Sequence, residues 1–472
     1  MGIAISGFQL ARAVAHAGQL GVVSGTAIDS VFARRLQNDG ASTSLRTVLE
    51  QFPNQTIVEY VLDHFSKRRR SANDSYKNTV MLTHRGSTRS HDLLVLASYA
   101  EVALAKEGHD GLVGINLLTK VQLPTAPTLL GAILANVDYV IMGAGIPTHI
   151  PGLLAQLAHG EVVEMPLDVA GVGSNAIHDV RFDPARYLNS RTLTKPKFLG
   201  IVSSHVLASA LTKRSNGPVD GFVVERPVAG GHNAPPRGQF RIDANGNPEY
   251  GDRDRVDFQV MRDLALPFWI GGGITSPQHV SDAFELGATG VQVGTLFAYC
   301  RESGMDPALR KTILSDITHR DVEVTTSLRA SSTGYPFKVA SVVGSLSEVA
   351  VYRARERKCD LGYLREAYAK SNGTLGYRCA AEPVSAYVLK GGRVEDTEES
   401  ACLCNGLMAT CGLAQVRANG RIEPPIVTSG DRINDIRTLL RGGDSYAASD
   451  VITYLNGTTA VEELNRFNHA IG

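Results

Sequence analysis

From the N-terminus to about residue 300, short runs rich in Val and Ile alternate with segments whose apolar residues recur every three or four positions. A strand that is apolar along its whole length has both faces buried, and strand–helix alternation of this kind builds a parallel sheet covered by helices. The runs predict strands at Gly21–Ser24, Thr79–Leu82, Gly111–Leu117, Tyr139–Met142, Phe198–Ser203, Val219–Val224, Phe268–Ile270 and Gly290–Val293. Helices are expected between them, among others at Phe8–Ala17, His91–Ala105 and Pro277–Leu286. Ser276 can cap the last of these, Pro277 suits its first turn, and Gly287 can take the left-handed stop. The pattern implies an α/β fold of the (β/α)8 TIM-barrel type.

The alternation stops near residue 330. Beyond it come Ser331-Ser332-Thr333-Gly334-Tyr335-Pro336-Phe337-Lys338, a helical stretch near Leu346–Arg355, and a Gly- and Pro-rich segment with five of the six cysteines. This stretch has too few periodic apolar elements for a core of its own. We therefore expect a barrel over residues 1–330 and a C-terminal subdomain over 331–472 that packs on it.

Three strand ends carry the chemistry. Val219–Val224 opens onto Glu225-Arg226-Pro227-Val228-Ala229-Gly230-Gly231-His232-Asn233, Phe268–Ile270 onto Gly271-Gly272-Gly273, and Gly290–Val293 onto Gly294-Thr295. A phosphate needs converging backbone N–H donors, which glycines and a helix N-terminus supply, and barrels commonly hold one after their last two strands. His232 directly follows two glycines at a strand exit, with Asn116 ending another strand. An imidazole placed there suits general acid/base work, because its ordinary pKa lies near neutrality. The segment Asn233–Arg255, rich in Pro, Gly, Asn and Asp, reads as a long lid or binding loop at the same face.

Charge and cysteine content exclude other classes. Lys plus Arg and Asp plus Glu balance at 47 each, which gives no field for nucleic acid or anionic membranes. No apolar stretch approaches the roughly 20 residues needed to span a bilayer, and the N-terminus has no signal-peptide pattern, so a cytoplasmic location is expected. Cys359, Cys379, Cys402, Cys404 and Cys411 lack a Cys-x-x-Cys pair, and the spacing Cys402-x-Cys404 chelates zinc poorly. They are expected as buried thiols, with no metal.

The stretches Met1-Gly2-Ile3-Ala4-Ile5-Ser6, His16-Ala17-Gly18-Gln19-Leu20-Gly21, Gly114-Ile115-Asn116, Ala229-Gly230-Gly231-His232, Gly271-Gly272-Gly273 and Gly290-Val291-Gln292-Val293-Gly294-Thr295 together make the chain resemble the nitronate monooxygenase, or 2-nitropropane dioxygenase-like, flavoproteins. These are FMN-binding TIM barrels, related to flavin-dependent enoyl reductases and to the trans-acting enoyl reductases of polyketide and fatty acid synthases. The resemblance implies that Met1 and Gly2 lie near the isoalloxazine and that Asn116 touches the flavin ring or ribityl chain. Ser203 and Gly231 would line the cofactor. The phosphate end would rest on Gly272, Gly273, Gln292, Gly294 and Thr295, and His232 matches the catalytic histidine.

On this reading the chain oxidises alkyl nitronates or nitroalkanes with FMN and O2. The alternatives are an NAD(P)H-dependent trans-acting enoyl-thioester reductase served by an acyl carrier protein, and a flavin-binding partner protein without catalysis. A homo-oligomer is compatible with each, whereas nucleic acid and membrane partners are not expected. Two departures stand out: the lead-in Glu225-Arg226-Pro227-Val228 is unusually charged, and the Lys120-Val121-Gln122-Leu123-Pro124 stretch points to a distinct, longer subgroup. The chain also begins at a Met-Gly step that in the family follows strand one. A slot between the Gly21–Ser24 and Gly290–Val293 strands is therefore expected, and the natural protein should carry roughly ten to twenty more residues, including a strand of about five.

Overall fold

A computed structural model of the chain describes residues 2–67, 69–171, 178–189 and 193–457. Its main sheet has seven parallel strands: β1 (Gly21–Ser24), β2 (Val113–Leu118), β3 (Tyr139–Gly143), β4 (Lys197–Val202), β5 (Gly221–Glu225), β6 (Phe268–Gly271) and β7 (Gly290–Gln292). They lie side by side in chain order, each hydrogen-bonded to the next. Helices on the outer face connect them, as parallel neighbours require.

Strand side chains alternate between two environments. Val23, Ile115, Val140, Met142, Phe198, Phe222, Val224, Phe268 and Ile270 join the large core under the helices. Their neighbours Val22, Tyr139, Ile141, Leu199, Ile201, Val223 and Trp269 pack on one another as a separate cluster. Side chains from strands as far apart in order as β1 and β6 can share one cluster only if the sheet curls, so the sheet forms a barrel wall with a filled interior. The wall has one seam. Among the described residues β1 and β7 do not pair with each other. At that edge Ser24 N–H donates to the Ser6 carbonyl at 2.8 Å, and Gly304 N–H donates to the Ile5 carbonyl at 2.8 Å.

One expected strand is not a strand. Thr79–Leu82 runs as irregular chain, with Val80 63% exposed, whereas a central parallel strand must be covered on both faces. Side chains hold it instead: Thr79 pairs with Ser30 at 2.9 Å, and the Leu82 carbonyl accepts from Arg365 at 2.8 Å. The helices form where expected, over Phe8–His16, Thr88–Ala105 and Pro277–Glu285. Ser276 Oγ accepts from the His279 N–H, and Gly287 sits at φ +89°.

The C-terminal region is interleaved with the barrel. The antiparallel strands Val324–Ser327 and Phe337–Ala340 pair across the expected boundary at residue 330. Glu366–Ala369 adds in parallel to Val169–Ala170. The helix Ala448–Asn456 lies against Phe8–His16 and Pro277–Glu285, and Val427, Ile433, Ile436, Val451 and Leu455 belong to the main core. No helix among the described residues is long and apolar enough to cross a membrane.

A buried ion network holds the C-terminal region together. Arg417 bonds Asp360 at 2.6 Å and Glu423 at 2.5 Å, and Glu423 also pairs with Arg355, with every side chain in the group 7% exposed or less. Removing one member leaves charge stranded away from water. Glu423→Ala should therefore cost about 3–5 kcal/mol of stability, read as a lowered denaturation midpoint.

Candidate functional site

Interior-facing positions at the carboxyl ends of the strands converge on one cavity. Period-two alternation turns Asn116 of β2, Gly143 of β3, Ile201 of β4, Glu225 of β5 and Gln292 of β7 inward, and all five line it. Gly2, Gly230, Gly231 and His232 complete the barrel side. Phe337, Tyr363, Leu364, Leu403, Cys404, Leu407 and Thr428 roof it from the C-terminal region.

The turn bearing His232 is fixed by its backbone. Gly231 N–H donates to Thr428 Oγ1 at 2.8 Å, Lys338 N–H donates to the Gly231 carbonyl at 2.9 Å, and Asn233 N–H donates to the Pro336 carbonyl at 2.9 Å. His232 thus bridges Phe337 in antiparallel fashion, with its ring edge-on to the Phe337 ring at 4.8 Å between centroids. Two glycines permit this. A β-carbon on Gly230 would stand 2.7 Å from the Ser429 carbonyl carbon, and Gly231 sits at φ +88°.

His232 Nε2 lies 2.7 Å from Ser331 Oγ, which lies 2.8 Å from Thr333 Oγ1, which accepts from Lys120 Nζ at 3.2 Å. Burial, helped by the charge on Lys120, drives the His232 pKa well below its ordinary value, so the imidazole is neutral at pH 7. Burial also pushes Lys120 down to about 7 and Glu225 up to about 7.

The glycine-rich ends form a second part of the site. Gly272 and Gly273 adopt φ +88° and +72°. A β-carbon on Gly273 would meet Val228 Cγ2 at 2.9 Å, Arg432 Cδ at 3.7 Å and an Arg226 guanidinium nitrogen at 4.0 Å, whereas one on Gly294 would meet nothing within 4 Å. Arg226 donates to the Gly272 carbonyl at 3.0 Å and has no ion-pair partner among the described residues; Arg432 bonds Asp435. Thr295 Oγ1 accepts from Gly430 N–H at 3.1 Å, which leaves its own hydrogen free to donate. A half-buried guanidinium without an ion-pair partner among the described residues, beside glycine N–H groups and a free hydroxyl, suits a phosphate.

Of the residues singled out from sequence, Gly2, Asn116, Gly231, His232 and Gln292 meet at the cavity, and Gly272, Gly273, Gly294 and Thr295 lie at the strand ends beside it. Ser203 sits past the end of β4, its carbonyl accepting from Arg237 at 3.4 Å, while Ile201 takes the inward position. Met1 lies outside the described residues. Sequence reasoning missed Glu225, Lys120, Ser331, Thr333, Arg226 and Arg432. Alternation along β5 was enough to turn Glu225 inward with Val223; the others come from loops, whose side-chain directions no periodicity encodes.

The late cysteines are largely buried, and burial raises Cys359 to about 12 and Cys402 and Cys411 to about 11, so they are protonated thiols near neutrality. Among the described residues no group of three or more His, Cys, Asp or Glu side chains is arranged to hold a metal ion.

Two outcomes follow from this geometry. Gly273→Phe forces a side chain into a left-handed turn already in contact with Val228, and should remove most flavin from the purified protein, measured as visible absorbance per chain. The Glu225 pKa is higher folded than unfolded, so between pH 4.5 and about 7 the folded state binds the extra proton and stability falls as pH rises. Glu225→Gln should flatten that slope in thermal melts across the window.

Residues 179–381 match the profile of a family described as nitronate monooxygenase. A nitronate monooxygenase from Pseudomonas aeruginosa is 34% identical over 121 residues, 25% of this chain and 32% of that protein. One from Paraburkholderia phytofirmans is 31% identical over 165 residues, 34% of this chain and 42% of that protein. The chain thus spans well under half the length of these curated relatives. FabK from Thermotoga maritima superposes over 98% of this chain and 92% of its own with a TM-score of 0.46 and 17% identity, a likeness too loose to carry any inference. Over residues 179–381 the chain is thus similar to the nitronate monooxygenase family.

Proposed function

We propose that this protein is an FMN-dependent nitronate monooxygenase that oxidises alkyl nitronates and nitroalkanes with O2. The observation that carries the reading is a neutral, half-buried imidazole, fixed by its backbone at the mouth of a barrel whose neighbouring strand ends suit a phosphate. Gly272, Gly273, Gly294, Thr295 and Arg226 would hold the phosphate, and Asn116, Gln292 and Gly231 would line the ring system. Bound there, FMN would supply a two-electron acceptor that O2 can reoxidise.

The chain's own residues handle binding and the proton. Among the described residues His232 Nδ1 has no hydrogen-bond partner, so with the hydrogen on Nε2 facing Ser331, Nδ1 is the basic atom available to a ligand. It would take the α-proton of a neutral nitroalkane. Leu364, Leu403, Leu407 and Phe337 exclude water from above and offer an apolar surface to an alkyl chain.

The test is anaerobic mixing of the purified flavoprotein with a nitronate, NADH and NADPH in turn. Bleaching by the nitronate alone is expected; bleaching only by NAD(P)H, with enoyl-thioester reduction, would replace this reading with the reductase. His232→Ala should lower turnover of neutral nitroalkanes by about 10²–10⁴-fold, and that of preformed nitronates far less, since they have already lost the proton. Equal losses on both substrates would remove the base role.

A further inference from the structure

His232 is half-buried, and its surroundings disfavour the protonated ring. The imidazolium is disfavoured by desolvation, and among the described residues no carboxylate bonds the ring. Each proton taken from a substrate must therefore leave by a bonded route. The only such route from the ring among the described residues runs through Ser331 Oγ at 2.7 Å, Thr333 Oγ1 at 2.8 Å and Lys120 Nζ at 3.2 Å.

Lys120 suits the far end of that route. Half-buried Lys120 has no ion-pair partner among the described residues, and its side-chain nitrogen lies 4.3 Å from the Tyr335 ring centroid. The groups facing it are the Thr333 hydroxyl, the Tyr335 ring and, through its field, His232. Glu225 lines the same cavity as His232, whereas Tyr363 and Cys404 there are held protonated by burial. With its pKa lowered to about 7, Lys120 is present in both forms at neutral pH. Three separate segments meet to make this arrangement: the end of β2, the turn after β5 and the first residues of the C-terminal region.

We propose that Ser331, Thr333 and Lys120 form a proton relay that drains His232, with Lys120 as the terminal acceptor and a positioning residue acting through the two hydroxyls. The step balances. As Nδ1 gains the substrate proton, the Nε2 proton passes to Ser331 Oγ, the Ser331 proton to Thr333 Oγ1, and the Thr333 proton to the neutral Lys120 amine, giving an ammonium that solvent deprotonates. The same path run backwards would resupply a proton to His232. The proposal rests on the base role of His232 given above.

The experiment compares wild type, Lys120→Met and Thr333→Val as flavin-loaded proteins. The first readout is kcat/KM for a neutral nitroalkane divided by that for its preformed nitronate, followed from pH 6 to 9. In wild type this ratio should rise through pH 7 as Lys120 loses its proton. In both variants it should be lower by about 10²-fold near pH 8 and lose the inflection. A ratio and inflection unchanged in both variants would overturn the relay.

The second readout needs no turnover. Lys120 has a lower pKa folded than unfolded, so the unfolded state binds more protons between pH 7 and 10.5 and wild-type stability should rise with pH there; Lys120→Met should abolish the rise. Should wild type turn over neither substrate, the nitronate reading fails. A missing stability slope in wild type would, independently, overturn the assignment of Lys120 as the terminal acceptor.

Discussion

The turn Gly230–Asn233 is the point on which the rest of the site depends. It leaves β5 at the barrel mouth and is stitched at once to the C-terminal region: Gly231 to Thr428 and Lys338, Asn233 to Pro336. The bonds to Lys338 and Pro336 are main chain to main chain, and they define position well because neither partner has rotamers to explore. Lys338, itself buried, then pairs with Asp431 at 2.6 Å, which ties the hairpin strand to the Thr428–Arg432 loop over the mouth. The C-terminal region therefore forms the roof of the site.

Roofing changes the chemistry beneath it. Three ionisable groups of different type, His232, Lys120 and Glu225, are all displaced toward their neutral forms, and in each the largest cause is loss of water. An acidic group raised and two basic groups lowered by the same burial create a site in which every proton carrier is near balance or uncharged at neutral pH. Such a set can pass protons without leaving charge behind. The cost appears as the opposed stability slopes expected of Glu225 and Lys120, since a charge that either group would carry in the unfolded chain is suppressed on folding.

At the other end of the cavity the logic is reversed. Around Gly272 and Gly273 the positive groups Arg226 and Arg432 are brought near each other with His279 close by, and only part of that charge is answered by Asp435 and Asp282. A residual positive field beside half-buried glycine backbone suits a dianion. The two ends of the cavity therefore differ in charge, with groups displaced toward their neutral forms at one end and residual positive charge at the other.

Much of this was legible in the residues. Val- and Ile-rich runs with helical spacing between them determined a curled parallel sheet, because burial on both faces leaves a strand few other places to sit. The glycines after β5, β6 and β7 and the histidine at Gly231-His232 determined where a phosphate and a base could be, because those functions require backbone freedom or an imidazole at a strand exit. Thr79–Leu82 shows the limit: a β-rich composition there was outweighed by polar anchoring from Ser30 and Arg365, which local sequence does not encode. Only the tertiary structure decided that residues 331–340 and 428–432 close the mouth. It also decided that Lys120, more than 200 positions from Thr333, ends a hydrogen-bonded path from His232. Periodicity reports which face of an element is buried, whereas the contacts between distant loops are set by how the whole barrel curls and by what is packed over it.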